Sequence, residues 1–501
     1  NSDMIGALIV VAAVFLYLYI YYENSRRYWS RKNLPSPPSQ LLIGNLREMW
    51  FTDTPRVLVL RDWTKKYGKV YGMHEGQRKV LVVSDIDMLN EILVRQFDHF
   101  QARMRFPLQR LDDGPKTHII EASGARWKRL RTLGTFGFTN KALKQMRGTV
   151  EESSLIVVRN LESMLDKGEV NMLEYFQEFT MDIICKIALG KKDVEMFNNK
   201  YAQICKDVFM SPINNVLNTI PSAFPFIQKP LFDFLQFAGE SMKIPYFELI
   251  TDLEKTVAER KKQRESGEKS RSADFIDIYL DAEYEEDENA NIEGTRRLVI
   301  DEVVSQCLIM LLAGFETTSN SLSYLTHFLA NHPDVQEKMR EEIDAEITGE
   351  SVEYDSLANL KYTDAVIKES LRHYPLASFV VNRECINATE VCGHHMEKGD
   401  MILTDTWSLH MDKEIWGDDA EEFRPERWLE PSTRPRVAFQ SFGEGPRMCI
   451  GMRLAYMEEK IVLAHLMKNF VIHASENTNP LHLTGNLTVA PERVMVRLER
   501  R

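Results

Sequence analysis

The stretch of sequence that decides the fold runs from Phe442 to Gly451 and reads Phe-Gly-Glu-Gly-Pro-Arg-Met-Cys-Ile-Gly. Its glycines let the backbone approach a large flat group closely and adopt conformations that other residues avoid. Cys449 lies just before a helical sequence that begins at Met452, where backbone N–H groups and the helix dipole favour a thiolate over a thiol. Arg447 places a cation close to the cysteine in the chain. The stretch therefore predicts a loop that presents one thiolate at a helix start.

The possible uses of such a thiolate differ in what they require from the surrounding sequence. A cysteine taken alone is most often a buried small hydrophobic residue, but the glycine-rich setting of Cys449 argues against that interpretation. A nucleophilic cysteine needs a nearby base, which the local sequence does not offer. A role as a metal ligand remains.

A rival metal site is the segment Cys392-Gly-His394-His395, whose side chains are potential zinc ligands. No second pair of ligands lies at zinc-finger spacing in the sequence. The segment falls between two strand-like runs, so we interpret it as an ordinary hairpin turn.

A second signal lies within a long predicted helix that runs from about Glu302 to Asn331. The face defined by helical spacing is small and partly polar, and consists of Met310, Gly314, Thr317 and Ser321. Close packing against another helix would explain such a face. Glu316 weakens that explanation, because a carboxylate in the middle of an apolar helix is costly unless it has a role.

The stretch around Cys449 resembles the cysteine-ligand loop of cytochromes P450, since Phe442, Gly445, Cys449 and Gly451 fit the pattern F-x-x-G-x-x-x-C-x-G. The resemblance extends from about Pro35 to Arg501 and is closest to the microsomal clan that includes steroid- and drug-oxidising enzymes and thromboxane synthase. It implies the cytochrome P450 fold, mostly α with small β-sheets, preceded by a single transmembrane helix. It also implies haem b (iron-protoporphyrin IX) as the cofactor, with Cys449 as the axial iron ligand whose electron donation favours O–O cleavage.

The resemblance assigns roles to residues around the haem. Glu316 and Thr317 correspond to the acid–alcohol pair that holds water and relays protons during oxygen activation, and Gly314 leaves room for dioxygen. The residues assigned to the haem and its propionates are Trp127, Arg131, Arg383, Arg447, Phe442, Gly443, Gly451, Ala313 and Gly314. Those assigned to the substrate pocket are Ile119, Ile120, Met310, Ala377, Ser378, Phe379 and Val380. Apart from the serine the pocket residues are apolar, which predicts a lipophilic ligand.

A third group of residues supports the cysteine loop. Glu369 and Arg372 form an i,i+3 pair, which alone says little because surface helices carry many such pairs. By resemblance they form a buried ion pair tied to the arginine of a P-E-R-F segment, here Arg427, and the three residues brace the loop. Trp428 stands in place of the phenylalanine of that segment.

The N-terminal sequence predicts a membrane anchor. Met4 to Tyr22 is free of charge and close to the ~20 residues that span a bilayer core. The basic residues that follow place the rest of the chain in the cytosol by the positive-inside rule: Arg26, Arg27, Arg31 and Lys32. A cleaved signal peptide would have a basic residue before the apolar run and a small-x-small site after it, and neither is present. The predicted organisation is an anchor at 1–24, a basic and proline-rich linker at 25–38 and a haem-thiolate catalytic domain at 39–501.

Local patterns organise the rest of the chain. The runs Lys69–His74 and Lys79–Val83 predict a hairpin, after which Ser84 with Asp87 opens a helix. From about Ala125 to Ala330 the pattern is helical, except for charged runs at 259–272 and 283–288 that we interpret as solvated loops. The apolar, proline-marked stretch 220–230 is either a core loop or a second membrane-touching surface.

Composition limits the function. A net charge of −12 argues against nucleic acid as a partner, because phosphate binding needs a basic face. The six cysteines include no CxxC pair and form no disulfide framework, which fits a reducing compartment. The anchor and the resemblance together imply a single-pass protein of the endoplasmic reticulum membrane, with its catalytic domain facing the cytosol.

The implied reaction inserts one oxygen atom from O2 into a lipophilic small molecule with electrons from NADPH. The resemblance names NADPH–cytochrome P450 reductase as the donor, with cytochrome b5 as a further candidate, and Arg126, Lys128 and Arg129 as residues that dock an acidic donor. Two alternatives stay open: a haem-thiolate isomerase or dehydratase that needs no electron donor, and a haem-based sensor or binding protein. Thr317 argues against the first alternative, and the intact acid–alcohol pair argues against the second.

Overall fold

The computed structural model describes residues 2–52, 54–104, 114, 116–191, 194–210, 213–239, 241–242, 244–267, 274–282, 298–485 and 488–501. Within these residues the chain is mostly helical with small sheets, which confirms the predicted fold class. The charged run 259–272 is not a loop throughout, because its first part continues a helix to Glu265. The run 283–288 lies outside the described residues.

The helices follow one another along the chain with few long interruptions. The α-helices are α1 (Ser2–Arg26), α2 (Tyr28–Arg31), α3 (Leu46–Trp50), α4 (Arg56–Tyr67), α5 (Ile86–Asn90), α6 (Gly124–Thr135), α7 (Asn140–Glu162), α8 (Met172–Leu189), α9 (Lys200–Met210), α10 (Ile213–Ala223), α11 (Gln228–Ala238), α12 (Pro245–Glu265), α13 (Phe275–Asp281), α14 (Ile300–Asn331), α15 (Pro333–Glu346), α16 (Lys361–His373), α17 (Thr406–His410), α18 (Lys413–Trp416) and α19 (Met452–Asn469). Shorter helical turns include a π-helical turn at Glu91–Arg95 and 3₁₀ turns at Ser378–Val380, Pro425–Trp428 and Gly445–Arg447.

The strands form four small sheets. They are β1 (Val70–Glu75), β2 (Arg78–Val83), β3 (Glu169–Asn171), β4 (Asn382–Glu384), β5 (Thr389–Val391), β6 (His394–Met396), β7 (Met401–Thr404), β8 (Phe470–Ala474), β9 (Leu483–Thr484), β10 (Ala490–Pro491) and β11 (Met495–Arg500). The largest sheet has the order β1-β2-β7-β4, and β3-β11-β8, β10-β9 and β5-β6 form the others. The antiparallel pairing of β1 with β2, and of β5 with β6 around Cys392, confirms both predicted hairpins.

Helix α14 is the axis of the helical core and confirms the predicted long helix. It has 32 residues, which is about 48 Å at the usual rise, and most of its side chains are buried. It packs against α8, α12, α16 and α19, the last of which follows the cysteine loop. An apolar helix can run through a core in this way because its backbone hydrogen bonds are satisfied within the helix.

The start of the helix after the first hairpin differs from the prediction. Asp85, rather than Ser84, is the N-cap of α5, and its side chain accepts a hydrogen bond from the N–H of Met88 at 2.9 Å. Either residue type is a good N-cap. The backbone of Ser84 instead pairs with Lys69 at the end of the hairpin.

The N-terminal helix is the candidate membrane span. Met4–Arg26 has a mean hydropathy of 2.4 over its most apolar 18-residue window, and none of that window is buried inside the protein. The segment that follows is not a free spacer, because α2 packs onto the sheet. Trp29 is fully buried, its indole N–H donates to the carbonyl of Met73 at 3.0 Å, and the hydroxyl of Tyr28 donates to Asp400 at 2.7 Å. The predicted linker 25–38 is therefore largely seated on the body.

The apolar stretch 220–230 is not a core loop. It spans the end of α10, a 3₁₀ turn and the start of α11. The side chain of Phe226 is 75% exposed, and that of Phe237, further along α11, is 89% exposed. The hydroxyl of Tyr22, at the end of the apolar part of α1, donates to the carbonyl of Ala223 at 3.2 Å. The exposed aromatic surface and the N-terminal helix therefore meet.

Candidate functional site

The loop that carries Cys449 is a tight structure held by its own backbone. Gly443 and Gly445 have φ of +72° and +74°, a conformation that favours glycine. A Cβ atom at Gly445 would lie 2.1 Å from the carbonyl oxygen of Leu93, so this glycine also permits close backbone contact. The N–H of Cys449 donates to the carbonyl of Phe442 at 2.8 Å and closes the loop. The sequence argument from glycine thus holds for these two positions.

The electrostatic surroundings of Cys449 differ from those expected. The side chain is accessible, yet the protein around it withdraws the sulfur from bulk water, and this desolvation raises the pKa of the thiol. The backbone N–H of Gly451 and the charges of Arg131 and Arg103 act in the opposite direction. Arg447 is the neighbour in sequence but points elsewhere. Burial therefore works against the thiolate, whereas a coordinated metal favours it.

Four arginines surround one interior region beside the cysteine. Burial, and then the charges of the other three arginines, lower the pKa of Arg447 to about 8. Burial and the charge of Arg103 lower the pKa of Arg383 well below its usual value. Arg103 itself has its pKa lowered to about 10 by burial, with Arg131 acting in the same direction. Like charges have thus been brought together at a cost in free energy.

Three of these arginines, Arg103, Arg383 and Arg447, bond to carbonyl oxygens rather than to acids. Arg447 donates to the carbonyls of Gln101 at 2.9 Å and Ile119 at 3.1 Å, and its guanidinium lies 4.4 Å from the ring centre of Trp127. Arg383 donates to its neighbouring carbonyl at 2.7 Å. Across the described ranges none of the four arginines forms an ion pair with a carboxylate, and the Nε atoms of Arg103 and Arg383 are buried without a hydrogen-bond partner.

This donor set fits a flat dianionic cofactor that is also a metal complex. Buried cations without anionic partners call for an anion, and arginine binds carboxylates through paired N–H groups. The propionates of haem supply two such carboxylates, and its iron takes a thiolate. Trp127, Arg131, Arg383 and Arg447 were expected here from the sequence, whereas Arg103 was not. Arg103 lies in a loop without a motif, so the sequence carries no signal for it.

The predicted brace is assembled. Glu369 is fully buried and accepts from Arg372 at 2.8 and 2.9 Å and from Arg427 at 2.9 Å. The indole of Trp428 donates to the same carboxylate at 2.9 Å, so the departure from phenylalanine adds a hydrogen bond. Burial opposes ionisation of Glu369, but the hydrogen bonds from Arg372 and His373 together lower its pKa well below the usual value. The carboxylate is therefore ionised.

His410, which the sequence did not indicate, connects the brace to the cysteine loop. Its Nδ1–H donates to the carbonyl of Arg372 at 3.0 Å, and its Nε2 accepts from the N–H of Gln440 at 2.8 Å. Burial lowers the pKa of His410 to about 3, so the ring is neutral and can donate at one nitrogen and accept at the other. The carbonyl of Gln440 in turn accepts from Gly443 at 2.9 Å.

A short part of one face of helix α14 is not covered by other residues of the protein that the structure describes. Ala313 is exposed and Gly314 and Thr317 are half-buried, whereas the residues on the opposite face are buried. The hydroxyl of Thr317 donates to the carbonyl of Ala313 at 2.8 Å. A Cβ atom at Gly314 would lie 2.7 Å from Cδ1 of Ile184, so this glycine permits close packing with α8.

Glu316 and Thr317 are adjacent in the chain, but their side chains have different surroundings. Glu316 is buried and accepts from the hydroxyl of Thr488 at 2.7 Å. Burial raises the pKa of Glu316 to about 7, and the contacts with Thr488 and Asn320 only partly oppose the shift. In the part of the chain that the structure describes, no direct hydrogen bond joins the two predicted catalytic side chains.

The residues predicted to line a pocket divide into two groups. Ile119, Ile120 and Met310 belong to the main core and lie where it meets the arginines and α14. Ala377 and Val380 are half-buried, and the carbonyl of Val380 accepts from Arg103. The other two have partners of their own, since Ser378 donates to the carbonyl of Pro375 at 2.8 Å and the ring of Phe379 packs 4.0 Å from the guanidinium of Arg56.

Two of the three residues expected to dock a donor are engaged elsewhere. Arg129 donates to both oxygens of Glu302, at 2.6 and 2.9 Å, and Arg126 donates to the same carboxylate at 3.0 Å. Both arginines thus tie α6 to α14, and the expectation that they lie free for a partner is wrong. No pattern in the sequence pairs these arginines with Glu302, which lies more than 170 positions away. Lys128, between them, is exposed.

Comparisons with known proteins agree with this geometry. The family model described as Cytochrome P450 matches residues 34–498. The "Putative cytochrome P450 CYP13A2" of Caenorhabditis elegans is 41% identical over 99% of this chain and 98% of its own length. The "Putative cytochrome P450 CYP13A10" and the "Putative cytochrome P450 cyp-13B1" of the same organism are 38% and 37% identical over 99% of this chain. Because the match extends over nearly the whole chain and includes the cysteine loop, the chain belongs to the cytochrome P450 family of haem-dependent monooxygenases.

Proposed function

We propose that the chain is a membrane-anchored haem-thiolate monooxygenase that inserts one oxygen atom from O2 into a lipophilic small molecule. One observation carries the proposal: the accessible thiol of Cys449 lies beside four arginines that have no carboxylate partner among the described residues. This combination matches the iron and the two propionates of one haem. A dehydratase or sensor would share these features, but no contact among the described residues favours either of them.

In this proposal each residue around the cofactor has a stated task. Cys449 binds the iron through its sulfur, and Arg103, Arg131, Arg383 and Arg447 bind the propionates. The haem, when bound, supplies the iron at which dioxygen is activated. The brace at Glu369 and the link through His410 keep the cysteine loop rigid, so that the sulfur stays in place during the reaction.

Thr317 and Glu316 hold and supply protons. The Thr317 hydroxyl donates to Ala313, which leaves its oxygen free to accept from a water molecule on the accessible face of α14. Glu316, with a pKa of about 7, can release or take up a proton near neutral pH. Since the two side chains are not directly bonded, protons pass between them through water or through Thr488.

The substrate is lipophilic because the side chains available to contact it are apolar. Ile119, Ile120, Met310, Ala377 and Val380 are the pocket residues of the proposal. Phe379 and Ser378 shape the backbone of the pocket wall rather than contact the substrate, because their side chains are bonded or packed elsewhere.

The electron donor is NADPH–cytochrome P450 reductase, with cytochrome b5 as a second candidate donor. An acidic partner is attracted by exposed basic residues, and Lys128 of α6 and Lys141 at the start of α7 are exposed. Helix α6 also carries Trp127 and Arg131, so a partner bound there lies close to the proposed haem site.

The protein is anchored in the endoplasmic reticulum membrane with its catalytic domain in the cytosol. The apolar helix α1 supplies the span, and the basic residues that follow it set the orientation. The exposed aromatic side chains of α11 and the turn before it provide a second membrane contact, since Tyr22 bonds to Ala223 and brings the two surfaces together. Lipophilic substrates partition into the same membrane.

Reconstitution tests the proposal. The purified full-length protein is mixed with NADPH–cytochrome P450 reductase in lipid vesicles and titrated with steroids, fatty acids and xenobiotics while the Soret band is recorded. Compounds that shift the band are then incubated with NADPH under ¹⁸O2. We expect products that contain one ¹⁸O atom per molecule. Products that form without NADPH and carry no ¹⁸O from O2 would contradict the proposal and favour the isomerase.

A further inference from the structure

We propose that Gln306 is a positioning residue that determines which ligands the pocket accepts, because it holds the backbone of Ile119 from the side opposite to Arg447. Gln306 touches no reacting atom in this proposal. The inference rests on the proposed function, because it takes Ile119 as part of the pocket wall.

The peptide groups of Ile119 are bonded in two directions. Its N–H donates to Oε1 of Gln306, on α14, at 3.2 Å. Its carbonyl accepts from Arg447, in the cysteine loop, at 3.1 Å. Ile119 is therefore held between the helix and the loop that together form the candidate site, and its position depends on both.

Gln306 lies on the face of α14 that the site uses. Positions 306, 310, 313 and 317 are separated by four, three and four residues, so they share one face of the helix. That face includes the accessible Ala313 and the Thr317 hydroxyl. Gln306 thus lies about three turns before Thr317 on the same face, where it holds the chain at Ile119.

The amide at this position has no role in folding the helix itself. Gln306 is buried in an apolar helix, where a polar side chain is costly unless its groups are bonded. Its Oε1 accepts from Ile119, and its Nε2 lies 3.5 Å from the carbonyl of Thr117. Both contacts go to the same short segment, so the amide is used to hold that segment.

Glu302 holds the other end of the same segment, one turn earlier on α14. Its carboxylate binds Arg129 and Arg126 of α6. Two successive turns of α14 therefore hold the chain from 117 to 129, which contains the proposed pocket residues Ile119 and Ile120 and also Trp127. Loss of the Gln306 hydrogen bonds should shift the pocket wall near Ile119, while Glu302 continues to hold α6.

The experiment uses haem-coordinating azoles of increasing size, which report pocket shape without knowledge of the substrate. The dissociation constants of imidazole, 4-phenylimidazole and clotrimazole are measured from the Soret shift of the holoprotein for wild type, Gln306→Leu and Gln306→Glu. Gln306→Leu removes the acceptor for Ile119, whereas Gln306→Glu keeps an accepting oxygen of the same reach. Hydrogen exchange of the peptide that contains residues 116–122 is recorded for each protein.

A matched control is available in Gln336→Leu. Gln336 is a buried glutamine that bonds three backbone groups: the carbonyl of Leu329 at 3.0 Å, and the carbonyl and the N–H of Ile472, both at 2.9 Å. Its bonds tie α15 to α14 and β8, away from the cysteine loop. Loss of this amide thus has a similar structural cost without a contact to the pocket wall.

We expect Gln306→Leu to change the ratio of the clotrimazole to the imidazole dissociation constant by ~5-fold or more, the usual effect of one hydrogen bond. The same variant should speed exchange in 116–122. Gln336→Leu should leave both readouts within twofold of wild type. Gln306→Glu, which keeps the acceptor for Ile119 but loses the contact with Thr117, should change both readouts less than Gln306→Leu. An unchanged ratio in Gln306→Leu, or an equal change in Gln336→Leu, would overturn this inference alone. A wild-type protein that binds no azole would contradict the proposed function together with it.

Discussion

Glu369 of α16 and Glu316 of α14 are both buried, but they differ in their hydrogen-bond partners and in the direction of their pKa shifts. This difference distinguishes the two halves of the site. Glu369 accepts hydrogen bonds from two arginines and a tryptophan, and the contacts with Arg372 and His373 hold its pKa well below the usual value despite burial. Glu316 accepts from one threonine, and burial raises its pKa to about 7. The same side chain is thus a permanent anion in one place and a group that titrates near neutral pH in the other.

The two surroundings suit different tasks. Around Glu369, every partner is a donor that fixes the carboxylate, and the network continues through His410 to the loop of Cys449. Around Glu316, few donors compete for the proton, so the group can exchange it. The rigid network of Glu369 and His410 thus supports the cysteine loop, and the carboxyl group that can exchange a proton lies on α14.

The largest expected effect comes from breaking the brace. Glu369→Ala leaves Arg372 and Arg427 as buried charges without their acid, which should lower the free energy of unfolding by ~3–5 kcal/mol. Denaturant unfolding of the holoprotein measures the loss. Because the folded-state pKa of Glu369 is lowered, its stabilisation is present above the unfolded pKa of ~4.3 and is lost as pH falls below that value.

Glu337→Ala is the matched control for the brace. Glu337 also pairs with an arginine, Arg340, at i,i+3 and 3.0 Å, but its side chain is 53% exposed. Its loss should cost ~0–1 kcal/mol. Equal effects of the two variants would contradict the distinction between a buried brace and a surface pair.

The second prediction concerns the arginines that have no acid. Arg103→Met should speed the loss of haem to apomyoglobin by ~10-fold, about the effect of one charge-assisted hydrogen bond. The apoprotein should lose little stability, because relief of repulsion with Arg131 and Arg447 offsets the lost bonds to backbone carbonyls. Arg95→Met, at an exposed i,i+4 pair, is the control. Unchanged haem loss in Arg103→Met would exclude Arg103 as a propionate ligand.

The third prediction tests the proton side. Thr317→Ala should lower the product formed per NADPH several-fold while NADPH oxidation continues, because a hydroxyl that holds water is removed. Thr326→Ala is the control, since Thr326 makes the same bond to the preceding turn of α14, at 2.8 Å, but is buried away from the accessible face. Unchanged coupling in Thr317→Ala would rule out the proton role of Thr317.

The smallest expected effect is on stability against pH. A raised folded-state pKa means that Glu316 contributes stability below its unfolded pKa of ~4.3 and that this contribution is lost as pH rises through about 7. Glu316→Gln should therefore reduce the loss of stability between pH 6 and pH 8 by ~1–2 kcal/mol. Glu458 and Glu459, whose pKa values burial raises to about 8, keep part of the dependence in the variant. A loss that is the same in Glu316→Gln and wild type would show that Glu316 does not titrate in this range.

Periodicity and turn residues predicted the long helix and both hairpins. The resemblance to the family implied the fold class and the trio of Glu369, Arg372 and Arg427, which local pattern alone does not bring together. Arg103 and His410 were missed because their roles depend on contacts between segments distant in the chain. Arg129 was misjudged for the same reason. A basic helix face seen in sequence gives no sign of a buried carboxylate that will meet it.

The sequence likewise could not show which groups the side chains of Glu316 and Thr317 contact. Adjacent positions on a helix point about 100° apart, so neighbouring residues do not share surroundings. Glu316 bonds to Thr488, so its surroundings depend on where tertiary packing places Thr488 relative to α14. Local sequence pattern indicates which residues are candidates for the site, and tertiary packing determines their hydrogen-bond partners.

The central claim, that Cys449 is the iron ligand, is tested most directly by the carbon monoxide difference spectrum of the reduced holoprotein. Wild type and Cys392→Ser, which changes an exposed cysteine in the β5–β6 turn, should both show the red-shifted Soret band of a thiolate-ligated haem. Cys449→Ser should lose that band. A red-shifted band that persists unchanged in Cys449→Ser would contradict the account.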